Sequence, residues 1–64
     1  MNKYRITYTL DSGKEITEFV DGNDPKEVLN KIETSGIKEF YDEKGFLHRI
    51  VLSKVAHISV FKYK

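Results

Sequence analysis

The residues of this chain with the clearest chemical capacity are His48, His57, Ser53, Ser59 and two close carboxylate pairs, Glu15 with Glu18 and Asp42 with Glu43. Two histidines on adjacent strands can chelate a metal, but a stable site needs a third ligand, and none stands at a matching position. The serines lie near histidines in sequence without a strained nucleophile turn or a buried carboxylate to orient a base. Paired acids can run glycoside-type hydrolysis only across a cleft, which so short a chain does not readily build. Gly13, Gly22, Gly36 and Gly45 stand singly at element boundaries, unlike the spaced glycines of a phosphate loop. The acidic run Asp21-Gly22-Asn23-Asp24 lacks the further ligands of a calcium loop and reads as a helix-capping turn. The expectation is a protein that is not an enzyme and uses no cofactor or metal.

What remains is recognition. Arg5, Phe19, Arg49, His57, Phe61 and Tyr63 combine rings with the chain's only two arginines. On a sheet surface such a set suits two occupants. Bases stack on rings while guanidinium holds phosphate, and protein interfaces are likewise anchored by aromatic residues and arginine. Charge favours the second. Eleven basic residues are matched by ten acidic ones, so the electrostatic footprint of bulk nucleic-acid binding is missing. These six residues are therefore expected to form a surface for a protein partner or a second copy of the chain. A nucleotide or nucleic acid is the alternative, and a merely solvated face the third reading.

The elements that would position this surface are well punctuated. Asp24 can cap a helix with Pro25 at its first position, and Glu27 completes a capping-box pattern. Gly36, followed by Ile37, can close that helix in a left-handed turn. A helix over residues 25–35 follows, with Val28, Leu29 and Ile32 as one narrow apolar stripe. Asp11-Ser12-Gly13 joins strands at 3–10 and 14–20, and Asp42-Glu43-Lys44-Gly45 joins strands at 37–41 and 46–52. A break at Ser53-Lys54 leads to a last strand at 56–63. The order is ββαβββ, and the expected fold is α+β, with one helix packed on one face of a five-stranded, mainly antiparallel sheet.

The stretch Ile16-Thr17-Glu18-Phe19-Val20 disturbs the pattern, since Glu18 falls where an apolar residue is due and Phe19 where a polar one is due. Registering the first hairpin from its turn sets Leu10 opposite Lys14, Tyr8 opposite Ile16, Ile6 opposite Glu18 and Arg5 opposite Phe19. Regular pleating places Phe19 beside Arg5, away from the helix. A bulge at Thr17-Glu18 would instead turn Phe19 into the core. If the last two strands pair through an odd-length loop, Phe46, Ile50, Leu52, Ala56, Ile58 and Val60 share a core face with His48 as its flaw. Leu47, Arg49, Val51, His57, Ser59, Phe61 and Tyr63 then lie opposite. One short helix cannot cover both sides of such a sheet, so an uncovered apolar, partly cationic face is expected.

The chain has 64 residues and no cysteine. That is one domain, 1–64, near the size at which a core barely offsets an entropy cost of roughly 1.5 kcal/mol per residue. With disulfides and thiolate metal sites excluded, self-association is the expected supplement. Nothing at the start resembles a signal peptide and no apolar run reaches the length of a membrane span, so a soluble, cytoplasmic protein without membrane contact is expected.

The segment Ile50-Val51-Leu52-Ser53-Lys54-Val55-Ala56-His57-Ile58-Ser59-Val60 resembles a tail found in small, mostly uncharacterised accessory proteins of low-GC bacteria and their phages. In these a strand runs through a Leu-Ser-x-Val step into a second strand. The resemblance implies Leu52 and Val55 packed around a tight bend, in proteins of mobile elements that act by binding. The pattern contains no catalytic residue to carry over.

Overall fold

A computed structural model describes residues 2–63 of the chain. Five strands, one helix and a short 3-10 turn follow in order: β1 (Asn2–Leu10), β2 (Glu15–Gly22), α1 (Pro25–Asn30), β3 (Ile37–Tyr41), β4 (Leu47–Val51), the 3-10 turn (Leu52–Lys54) and β5 (Val55–Lys62). The fold is α+β, but the strands form two antiparallel sheets, β2-β1-β5 and β3-β4, rather than the single five-stranded sheet expected.

The first hairpin has the register read from its turn, with Tyr8 opposite Ile16, Ile6 opposite Glu18 and Arg5 opposite Phe19. Gly13 closes it at φ +91°, a left-handed conformation that side chains with a Cβ resist. There is no bulge at Thr17-Glu18. Phe19 therefore faces outward beside Arg5, and Glu18 faces the core side with Ile6.

The two-sheet arrangement originates at the 3-10 turn. Leu52 donates its backbone N–H to Gly36 and Lys54 accepts from Asp11, so the turn is tied to the ribbon on one side and to the first hairpin on the other. The chain crosses from one layer to the other there. As a result β5 pairs with β1, and β4 keeps only β3 as its neighbour. The β4–β5 hairpin on which the odd-loop register rests does not form.

One layer is the three-stranded sheet, whose inner side carries Tyr4, Ile6, Tyr8 and Ile16, all buried. The second layer is α1 together with the β3–β4 ribbon, contributing Val28, Phe40, Ile50 and Leu52 to the same cluster. Ile58 and Val60 pack against this core as expected. Two residues assigned to the core face are outside it. Phe46 stands exposed just before β4, and Ala56 is exposed because the β1–β5 register shifts there, with Thr9 opposite His57 but Leu10 opposite Val55. Such a bulge leaves one residue unpaired and turned out of the pleat.

The helix begins as read. Asp24 accepts from the Glu27 N–H at 2.9 Å with Pro25 in the first turn. The reciprocal half of the capping box is absent, since the Glu27 carboxylate binds Lys31 and Asn23 instead. The helix also ends at Asn30 rather than near residue 35. The Ile32 N–H reaches only back to Leu29, a tightened final turn, and Thr34-Ser35-Gly36 are poor helix formers. Of the stripe, Val28 is buried, Ile32 packs on the core and Leu29 is exposed.

Candidate functional site

Four of the six candidate surface residues come together on the outer side of the three-stranded sheet. Arg5 lies between Phe19 on β2 and Phe61 on β5. Its guanidinium carbon is 5.3 Å from the Phe61 ring centre, within the range at which a cation is attracted to an aromatic face. Beyond β5, Tyr63 is held by a backbone bond to Lys3, and its ring lies 5.2 Å from that of Phe19. Phe61 and Tyr63 are half-exposed or more. His57 shares this side, but its neighbour is Thr9, and the Thr7–Ser59 pair separates it from Phe61. Four residues of strand amount to roughly 13 Å, so His57 sits at the far end.

Arg49 is not part of this group. It projects from the outer side of the ribbon, in the other layer, because β4 pairs with β3 and not with β5. There it binds Glu39, with Nε and Nη2 both 2.6 Å from Oε2. Ile37 and Val51 flank this ion pair on one side, Tyr41 and Leu47 on the other, each couple directly opposite across the ribbon. All four are exposed: 63% for Ile37, 67% for Tyr41, 59% for Leu47 and 48% for Val51. The inward residues of the same strands, Phe40 and Ile50, are buried. The ribbon is thus apolar on both sides.

This outward ribbon face was only half visible in the sequence. Leu47, Arg49 and Val51 alternate visibly, but Ile37, Glu39 and Tyr41 join them only once β3 is known to pair with β4 at this register.

A recess of about 210 Å³ opens between the inner side of β2, α1 and Lys38, with Ile6, Val20 and Val28 among its lining residues. Glu18 lies in it. Its carboxylate accepts the Tyr8 hydroxyl at 2.8 Å and lies 3.7 Å from the Lys38 ammonium. Burial, then the hydrogen bond and charge of Glu18, push the Tyr8 phenol well above the ordinary tyrosine range. The buried hydroxyl and the carboxylate thus satisfy each other's hydrogen-bonding need.

The two histidines are on different sheets. His48, at the core edge, binds Asp42 through Nε2 at 2.7 Å, and its ring lies against Phe40. Asp42 also accepts the N–H groups of Lys44 and Phe46, so it serves as the clasp of the β3–β4 turn. Among the described residues no group of three or more His, Cys, Asp or Glu is placed to hold a metal ion. Among the described residues no helix is long and apolar enough to cross a membrane. The Leu-Ser-x-Val step is the 3-10 turn, with Leu52 buried and Val55 packed on the core.

Compared with protein-family models, curated proteins and solved structures, the chain matches none.

Proposed function

We propose that this chain is a non-catalytic protein-interaction module that docks a protein on the outward face of the β3–β4 ribbon. The observation that carries this reading is the exposure of Ile37, Tyr41, Leu47 and Val51 around the Glu39–Arg49 pair. Four large apolar side chains on one side of a two-stranded ribbon gain by leaving water, and a central arginine–carboxylate pair supplies orientation. An accessory role in a phage or mobile element is an extension of the proposal, supported only by the resemblance of the Leu52–Val55 step.

Photo-crosslinking tests it. A benzophenone amino acid replacing Tyr41 is expected to capture a protein in the native cells, and the same group replacing Lys26, exposed on the helix, is not. Equal or absent capture at the two positions would remove the ribbon as the working surface.

A second reading is supported by the Arg5–Phe61 contact and the half-exposed rings beside it. It takes this cluster as a nucleotide or single-stranded nucleic-acid platform. A salt titration separates the two, since binding to phosphates weakens steeply as ionic strength rises whereas apolar docking does not. Under this reading Phe61→Ala abolishes the salt-sensitive binding and leaves capture at position 41 intact.

A further inference from the structure

We infer that the protein docked on the ribbon is a second copy of this chain, related by a two-fold axis running along the strands, so that Glu39 of each copy meets Arg49 of the other. This rests on the proposed working surface and names its occupant. The face is composed to meet its own copy. It has one acid and one base side by side in the middle row, and an apolar pair above and below: Ile37 with Val51, and Tyr41 with Leu47. A surface with one charge of each sign and matched apolar rows is complementary to itself.

When the strands of the two copies are aligned, two two-fold axes in the plane of contact can bring the ribbon onto its copy, and charge chooses between them. An axis across the strands stacks Glu39 on Glu39 and Arg49 on Arg49. The axis along the strands lays each β3 over the partner's β4, which sets Glu39 on Arg49 twice, Ile37 on Val51 and Tyr41 on Leu47. Within one chain both contacts of Arg49 converge on Oε2 of Glu39. Oε1 and the remaining guanidinium N–H groups therefore have capacity for the second copy, closing a ring of four charges. Like charges facing each other across a contact are strongly disfavoured, so this arrangement also excludes the competing axis. Aligned sheets pack about 10 Å apart, a spacing that side chains of these sizes fill.

Sedimentation at roughly 10 μM to 1 mM, a range suited to a small interface, tests the pairing. The parent chain is expected to dimerise at the upper end. Glu39→Arg and Arg49→Glu are each expected to sediment as monomers alone, and their equimolar mixture to dimerise again. A misfolded variant does not regain a partner by mixing. Because the chain has no cysteine, Ile37→Cys and Val51→Cys give an independent reading with a short bis-maleimide. The 37/51 mixture is expected to yield the mixed crosslinked dimer, whereas Ile37→Cys mixed with Tyr41→Cys, positions that only the axis across the strands superposes, is expected to yield no mixed species. Mixed linking between positions 37 and 41 in place of 37 and 51 would indicate the other axis and overturn the inference, as would a parent that stays monomeric throughout or a 37/51 mixture that fails to link. Capture of a different protein at position 41 beside a monomeric parent leaves the interaction module standing and removes only the second copy.

Discussion

Tyr8 and Glu18 share a 2.8 Å hydrogen bond between neighbouring strands, and it accounts for a carboxylate on the core side of β2. Tyr8 is fully buried, and its hydroxyl needs an acceptor. Glu18, one pleat along from the Ile16 that faces Tyr8, supplies it, while Lys38 from the other layer approaches the second carboxylate oxygen.

Replacing that acceptor is expected to be costly. Glu18→Leu leaves the phenol buried without a partner, a loss of about 1–3 kcal/mol, and Glu18→Gln, which keeps a carbonyl, should lose less. Tyr8→Phe combined with Glu18→Leu should recover part of the loss. Urea unfolding measures all four chains; a Glu18→Leu variant as stable as its parent contradicts the role given to this bond.

The same pair sets an alkaline limit. The Tyr8 phenol is harder to ionise in the folded chain than in the unfolded one, whose value is near 10. The associated stability is complete below that value and declines as pH rises above it. Tyr8→Phe should flatten the alkaline limb of a plot of melting temperature against pH. Parallel curves for the two proteins would refute this.

Gly22 is required for space. A Cβ there would run into Cγ2 of buried Val28 and come close to the Tyr4 ring. Gly22→Ala is expected to cost about 1–3 kcal/mol through overpacking. Adding Val28→Ala opens the gap, so the combined loss should be smaller than the sum of the two single losses. Strict additivity in thermal unfolding would show that the helix shifts freely instead.

Asp42 governs the acid side. The His48 hydrogen bond, followed by the backbone N–H groups of Phe46 and Lys44, holds its carboxyl below the ordinary range, although partial desolvation acts against them. A carboxylate held low stabilises the fold above the ordinary aspartate value, and the contribution is lost as pH falls through the folded one. Asp42→Asn should therefore be less stable at pH 5 and lose less than its parent on going to about pH 2. Melting curves of identical acid slope would reject the clasp.

What the sequence made legible was local. The first hairpin, its register and the capped start of the helix depend on residues a few positions apart: Gly13 at its turn, Asp24 and Pro25 at the cap. Those signals act before any tertiary contact exists. The division into two sheets was not legible, because it depends on where β5 goes after Leu52–Lys54. Both candidate partners, β1 and β4, offer an apolar alternation that would accept it. Arg49 was misplaced for this reason alone, whereas Arg5, Phe19, Phe61 and Tyr63 share a face because regular pleating is periodic over any length of strand. The ribbon's outer face was hidden by the same ambiguity. Its rows exist only once residues 37–41 and 47–51 are matched.

The pairing of β1 with β5 joins residues from 45 positions apart, at Leu10 and Val55, to 58 apart, at Tyr4 and Lys62. The β1–β2 hairpin needs no such search and can close within microseconds. Assembly is thus expected to be limited by the late arrival of the fifth strand, after a long and entropically costly loop has closed. Until it does, one edge of β1 has no neighbour. A nascent chain in that interval offers a vacant strand position to any extended peptide nearby, which makes speed of synthesis and crowding matter more for this small protein than its size suggests.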